Sequence, residues 1–330
     1  MPAIDDSLSQ EQLVRALIYG RPMTKKTWWA LAAAEAGFNI IYADFDNNLQ
    51  VARNLSPEAR KRIYRLDMRM PQGTNSNNGA YALMKAVKGD VILYNEETRQ
   101  YVAAANAVKE PETVFTRLDF SKLGADTILV IDSWTAWQVN LSAAQRNILD
   151  PTAVTKPEWE DHAKLRLADD VFISDLCRLN CHSIMIGHVE TYVKKKPGSD
   201  PKSRTPHLDI ETVREQPASA TRAHGEQLAK SFTDVLFFVQ PQSGHVMIKT
   251  NGDDDFDAGS RSAKPGSFKW EDLQFSNLLT EGAAAIGKKA GPLQGITQIT
   301  GAQLAAERES AKGSATIATP VTTGILNIKR

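Results

Sequence analysis

Short apolar runs, each closing on a glycine or a polar residue, punctuate this chain. The run over residues 13–19 ends at Gly20, and the run over 40–43 ends in Asp44 and Asp46. DTILVID, residues 126–132, ends in Asp132, and HSIMIG, residues 182–187, is followed by His188. Near-continuous apolarity over so few residues marks strands covered on both faces, as in parallel sheets. Helical patterns lie between them. They run over 27–36, 48–62 with a break near Ser56 and Pro57, 80–87, about 136–147 and 158–180. Strand, helix and strand in alternation predict an α/β fold with a mainly parallel sheet and helices on both faces.

Elsewhere the pattern is less decisive. Residues 63–70 alternate like a strand, and 90–106 fit either a hairpin around Asn95, Glu96 and Glu97 or a helix in the second half. Residues 111–122 fit a helix or a strand and turn, so 90–122 reads as an insertion on the core. Residues 191–223 carry many prolines, glycines and lysines and few large apolar residues, which predicts a mobile loop or lid. Residues 235–239 and 244–250 fit a hairpin, and 268–279 a last ordered piece. Residues 1–12 read as an N-terminal arm, 13–280 as one domain, and 281–330, without aromatics, as a tail partly flexible or ordered by a partner, within which 302–311 fit a helix.

The segment after the first strand carries the most chemistry. A P-loop is written G-x-x-x-x-G-K-[ST]. Gly20, then Arg21, Pro22, Met23 and Thr24, then Lys25, Lys26 and Thr27 fill its slots, with Lys25 where the second glycine belongs. Backbone N–H groups of such a turn can hold a polyphosphate. Lys26 would reach the β- and γ-phosphates and the Thr27 hydroxyl would bind Mg²⁺. Lys25 in a left-handed conformation would cost about 1 kcal/mol or more. Ligands of open parallel sheets bind outside the carboxyl ends of strands, so Gly20, Asp44 or Asp46, Asp132 and His188 should meet on one rim. Asp44 and Asp46 share a face if their strand continues, and a turn after Ala43 would separate them.

Lys plus Arg number 39 and Asp plus Glu 39, so no global field draws the chain to nucleic acid. Any such contact needs a local patch, for which Lys194, Lys195 and Lys196 are the candidates. Two cysteines, Cys177 and Cys181, four apart on an expected helix, read as buried thiols rather than a disulfide or zinc pair. No apolar run is long enough to span a membrane and no signal-peptide pattern opens the chain. The expected location is cytoplasmic, or the host cytoplasm for a viral protein.

With these motifs in hand, the chain resembles the RecA-like P-loop ATPases. It looks most like the phage ATPases of that group linked to recombination and single-strand annealing, with a degenerate phosphate loop. The resemblance covers roughly residues 13–280. It implies ATP as substrate, Mg²⁺ as cofactor, single-stranded DNA as partner, homo-oligomers, and contact with single-strand-binding or recombination proteins. By position, Gly20, Lys26 and Thr27 look like the phosphate loop and Asp132 like the acid that holds Mg²⁺ through water. Asp46 looks like the water-orienting carboxylate, and His188 like the residue that senses the γ-phosphate. Arg261 stands near where a basic residue would approach the nucleotide from the same or the next subunit. Of five tryptophans considered, Trp134 is the one to weigh as a base-stacking platform, and Trp29 is open to facing outward. A rival reading keeps the fold without turnover, as a structural or assembly subunit. Another makes the chain a virion or scaffold component.

Overall fold

The computed structural model describes residues 13–69, 79–98, 100–145, 159–195, 210–218, 230–241, 244–252, 258–279, 287 and 290–315. Its strands, in chain order, are β1 Arg15–Gly20, β2 Asn39–Asp44, β3 Ile63–Asp67, β4 Ile92–Asn95, β5 Gln100–Val102, β6 Val114–Leu118 and β7 Thr127–Asp132. Then come β8 His182–Lys195, β9 Ile210–Pro217, β10 Asp234–Val239, β11 Met247–Lys249, β12 Gly259–Ser260, β13 Ser267–Lys269 and β14 Ile296–Thr300. The helices are α1 Lys26–Leu31, α2 Pro57–Lys61, α3 Gly79–Lys88, α4 Ala104–Ala107, α5 Trp134–Gln145, α6 Trp159–Leu176 and α7 Gly301–Ala315.

The main sheet runs β13-β11-β10-β1-β8-β7-β2-β3. From β10 to β3 every pairing is parallel, and β11, β12 and β13 add antiparallel strands beyond β10. Two cores follow from the alternation of side chains along each strand. Leu17, Tyr19, Ile41, Ala43, Leu129 and Ile131 face α3, α5 and α6. Ala16, Ile18, Ile40, Tyr42, Ile128 and Val130 face α1. The α/β class and mainly parallel sheet expected from the apolar runs are therefore what the chain adopts. Strand β8 lies between β1 and β7, so the strands that end at Gly20 and Asp132 are not neighbours.

Helix α1 is short, giving way to a 3-10 turn at Ala32–Ala34 before Gly37, whose φ is 100°. Trp29 does not face outward. It is fully buried, donates from Nε1 to the Leu273 carbonyl at 2.5 Å, and meets Phe238 and Phe275 edge-on. The antiparallel strands β11 and β13 and the segment at Phe275–Leu278 cover this side and give the indole its pocket.

Two further expectations are corrected. Residues 191–223 are not a loop throughout. Strand β8 runs on past His188 to Lys195 and pairs antiparallel with β9, Val189 opposite Pro217 and Lys194 opposite Thr212. The lysines, prolines and glycines of the segment hid its β-branched content, which favours strands. Nor do residues 296–315 of the C-terminal segment lie apart, whereas residues 316–330 fall outside the described residues. Strand β14 pairs antiparallel with β6, closing a second sheet in the order β14-β6-β4-β5. Ile299 and Leu304 from this segment are buried with Leu93, Ala107 and Phe115 in a third, small core. The hairpin alternative for residues 90–106 is the one adopted, with α4 just beyond it.

Candidate functional site

Parallel register brings the strand ends together. Gly20 lies opposite His188 on one side and Phe238 on the other, and Asp44 lies opposite Asp132. Gly20 has little choice of residue, because a Cβ there would sit 2.2 Å from the Phe238 carbonyl oxygen. The loop that follows holds two non-glycine residues at positive φ, Met23 at 64° and Lys25 at 68°. Lys25 precedes α1 and is exposed, and Met23 is 91% exposed. The expected strain at position 25 is thus present, and a second strained residue accompanies it.

Lys26 is buried and turned back into the loop. Its Nζ donates to the carbonyls of Gly20 and Arg21, each at 2.8 Å, and lies 3.4 Å from Thr24 Oγ1. Burial lowers its pKa from 10.5 to about 8, against the opposing pull of Asp132 and Asp46. Thr27 Oγ1 donates to Asp132 Oδ2 at 2.7 Å, joining residues 105 apart in sequence. The Tyr42 hydroxyl donates to the same oxygen at 2.6 Å. Asp132 is 1% exposed, and burial raises its pKa, helped by the charges of Asp46 and Asp44 and opposed by the two hydroxyl donors. Burial and Asp132 raise the Tyr42 phenol as well, so it keeps its proton. The peptide between Asp132 and Ser133 is cis.

The strand ends at Asp44, and the turn after it separates the two acids. Asp44 is fully buried and held by Arg65, with the guanidinium 2.7 Å from Oδ2, and by the Asn48 N–H at 3.2 Å. Asp46 is half-buried at the rim, its Oδ2 3.7 Å from His188 Nε2. Burial pushes the Asp46 carboxyl up, but the neighbouring His188, Ser133 and Lys26 hold it below its ordinary value. Pro22, Met23, Thr24, Lys25, Lys26, Thr27, Asp46, Asp132 and His188 line one open cleft of about 580 Å³, with Trp28, Asn48, Val51 and Asn54 extending it. A buried carboxylate, a hydroxyl and a half-buried carboxylate form a set of hard oxygen donors, suited to Mg²⁺ rather than to a soft metal.

Not every candidate joins this group. Arg261 sits at the opposite end of the sheet. Its N–H donates to the Thr233 carbonyl beside Asp234, which is the start of β10, whereas the phosphate-loop glycine meets the far end of that strand. Its backbone thus lies at the strand end away from the cleft, and Arg261 is not among the residues that line it. Trp134 is not available for stacking either; it is fully buried, packed on Trp137 with ring centroids 4.5 Å apart. Lys194 and Lys195 lie on β8 in the ribbon, and Lys196 falls outside the described residues. Among the described residues no cluster of His, Cys, Asp and Glu could hold a metal by itself. Both cysteines are free thiols, but only Cys181 is buried as expected; Cys177 falls just past the end of α6 and is exposed. No helix among the described residues is long and apolar enough to cross a membrane.

Three partners were not anticipated. Tyr42 reads as core in an apolar run, although a phenol buried in a strand calls for an acceptor. Arg65 holds Asp44, and Glu215 on β9 pairs with Arg21 of the loop at 2.9 Å. Nothing local in the sequence links these last two pairs.

No family model matches the chain, and no curated protein sequence does. Among solved structures the chain is similar to the RadB recombinase, at 16% identity over 78% of this chain and 86% of that one, with a TM-score of 0.36. The α/β assignment rests on strand order and register rather than on that likeness.

Proposed function

We propose that the chain binds ATP with Mg²⁺ in the cleft beside the 20–27 loop and hydrolyses it while acting on single-stranded DNA in recombination, replication or repair. The observation that carries the reading is the 2.7 Å hydrogen bond from Thr27 to Asp132, which ties the loop to the end of a buried strand. In this reading the loop backbone from Gly20 to Lys26 wraps the phosphates. Lys26, charged at neutral pH, leaves the carbonyls of Gly20 and Arg21 for the β- and γ-phosphates. Thr27 and Asp132 would hold the cation, whose charge would offset that of the phosphates. Asp46 orients the attacking water, its ionised form favoured by His188, Ser133 and Lys26. His188 stands at the root of the β8–β9 ribbon, so a change at the phosphates reaches Lys194 and Lys195 along one strand. We further propose that the active form is a homo-oligomer, which leaves Arg261 a role only from a neighbouring subunit.

A second reading has its own support. Two non-glycine residues at positive φ, and a lysine satisfied by its own loop, suit a domain that has given up turnover and serves as a structural or assembly subunit. Phosphate release with and without single-stranded DNA separates the two. The ATPase reading requires DNA-stimulated release that Lys26→Ala and Asp132→Ala abolish. Binding of ATP without release under any of these conditions would favour the second.

A further inference from the structure

The carboxylate of Asp132 receives two hydroxyl donors, and only one of them belongs to the phosphate loop. Thr27 approaches Oδ2 from α1, and Tyr42 approaches the same oxygen from β2 at 2.6 Å. Tyr42 lies opposite Val130 in the parallel register. It therefore shares a sheet face with Asp132, two residues further along β7. Both side chains are shut off from solvent, at 0% and 1% exposure. We infer that Tyr42 is a positioning residue for the metal-binding carboxylate, an inference that rests on the nucleotide reading above.

The reason is orientational. Thr27 spends its proton on Asp132, so only its lone pairs face a cation. A single donor leaves a carboxylate free to rotate about its Cβ–Cγ bond and to follow any movement of the loop. A second donor, fixed in a buried parallel strand, anchors the same oxygen to the sheet. Among the described residues Oδ1 takes no hydrogen bond, and it is the oxygen left to face a cation or its water. Partners that orient a ligating carboxylate matter nearly as much as the ligand itself. The phenol of Tyr42 touches neither cation nor phosphate, so its effect should appear only where the cation takes part in binding.

That separation gives the test. ATP affinity is measured for the full-length chain and for Tyr42→Phe, once in excess EDTA and once in excess Mg²⁺. The ring is kept and only the hydroxyl is lost, and thermal melting in EDTA checks that the variant is folded. The expected result is equal affinity in EDTA and a Mg²⁺-dependent tightening smaller by about tenfold in the variant. A tightening within about twofold of wild type overturns the inference. So does an equal loss in both buffers, which would make the phenol a packing element. If wild type binds no ATP in either buffer, the nucleotide reading itself falls, and that outcome is distinct from a failure confined to Tyr42.

Discussion

At the scale of single residues, the phosphate loop is held together by groups that a ligand would have to redirect. Lys26 shows this most clearly. Its pKa is lowered from 10.5 to about 8 by burial, so the unfolded chain binds more protons than the folded one between those values. Stability contributed by this residue therefore rises as pH climbs through that window, and Lys26→Met should flatten the rise in urea-unfolding measurements. Ligand binding has the opposite trend. Phosphates need the ammonium, so above pH 8 the lysine must take up a proton on binding. Affinity for ATP should be level below about pH 8 and fall by up to about tenfold per unit above it. A flat profile to pH 9 would show that Lys26 does not meet the phosphates. Lys25 makes a separate prediction. Its φ of 68° is tolerable for an unbranched residue and poor for a β-branched one. Lys25→Val should cost more than about 1 kcal/mol. Lys25→Gly should be nearly neutral, because relief of strain is offset by a more flexible unfolded chain. Equal stability of the two variants in denaturant melts would contradict this account.

At the scale of elements, what could be read from the chain depended on whether the signal was local. Buried parallel strands announce themselves as apolar runs, and β1, β2, β7 and the start of β8 were legible that way, whereas β10 was legible only as a hairpin arm with β11 and not as the parallel neighbour of β1. So was the meeting of Gly20, Asp132, Asp46 and His188, because strand polarity alone puts carboxyl ends on one rim. The ribbon was not legible. Its strands alternate charged with β-branched residues, and composition suggested a loop where pairing across β8 and β9 supplies the order. Tyr42 stayed hidden for a similar reason: its partner lies 90 residues away, and nothing nearby distinguishes it from core. The ribbon carries its own prediction. If Lys194, Lys195 and Lys196 contact phosphates of single-stranded DNA, changing all three to Ala should weaken binding and flatten its salt dependence by about 0.7 in log–log slope per lost contact. ATP affinity without DNA should not change if the lysines serve DNA alone. An unaltered salt slope would remove the lysines from any DNA surface.

At the scale of the whole molecule, residues 296–315 are a structural part of the second sheet and its small core, and this can be tested apart from any catalytic idea. Strand β14 is the outer neighbour of β6, and Leu304 of α7 completes the small core with Ile299. The docking leaves little room at either end of the strand. A Cβ on Gly295, whose φ is 77°, would lie 2.5 Å from the Asp119 carbonyl oxygen, and one on Gly301 would lie 2.1 Å from that of Glu110. A chain ending at Gly295 loses the burial of Ile299 and Leu304, worth about 1.5–3 kcal/mol for each side chain as an upper value. It also opens Phe115 and the β6 edge to water. Thermal unfolding should therefore shift down, and protease should cut first within residues 90–122. Gly301→Val should move both measurements the same way, by crowding the carbonyls that β14 and α7 pack against. The cleft belongs to the other sheet, so below the lowered midpoint the truncated chain should bind ATP with wild-type affinity. Unchanged melting would mean that the segment adds nothing to the fold. Lost ATP binding in a chain still folded would mean that the two sheets are coupled, with the second one supporting the cleft from behind.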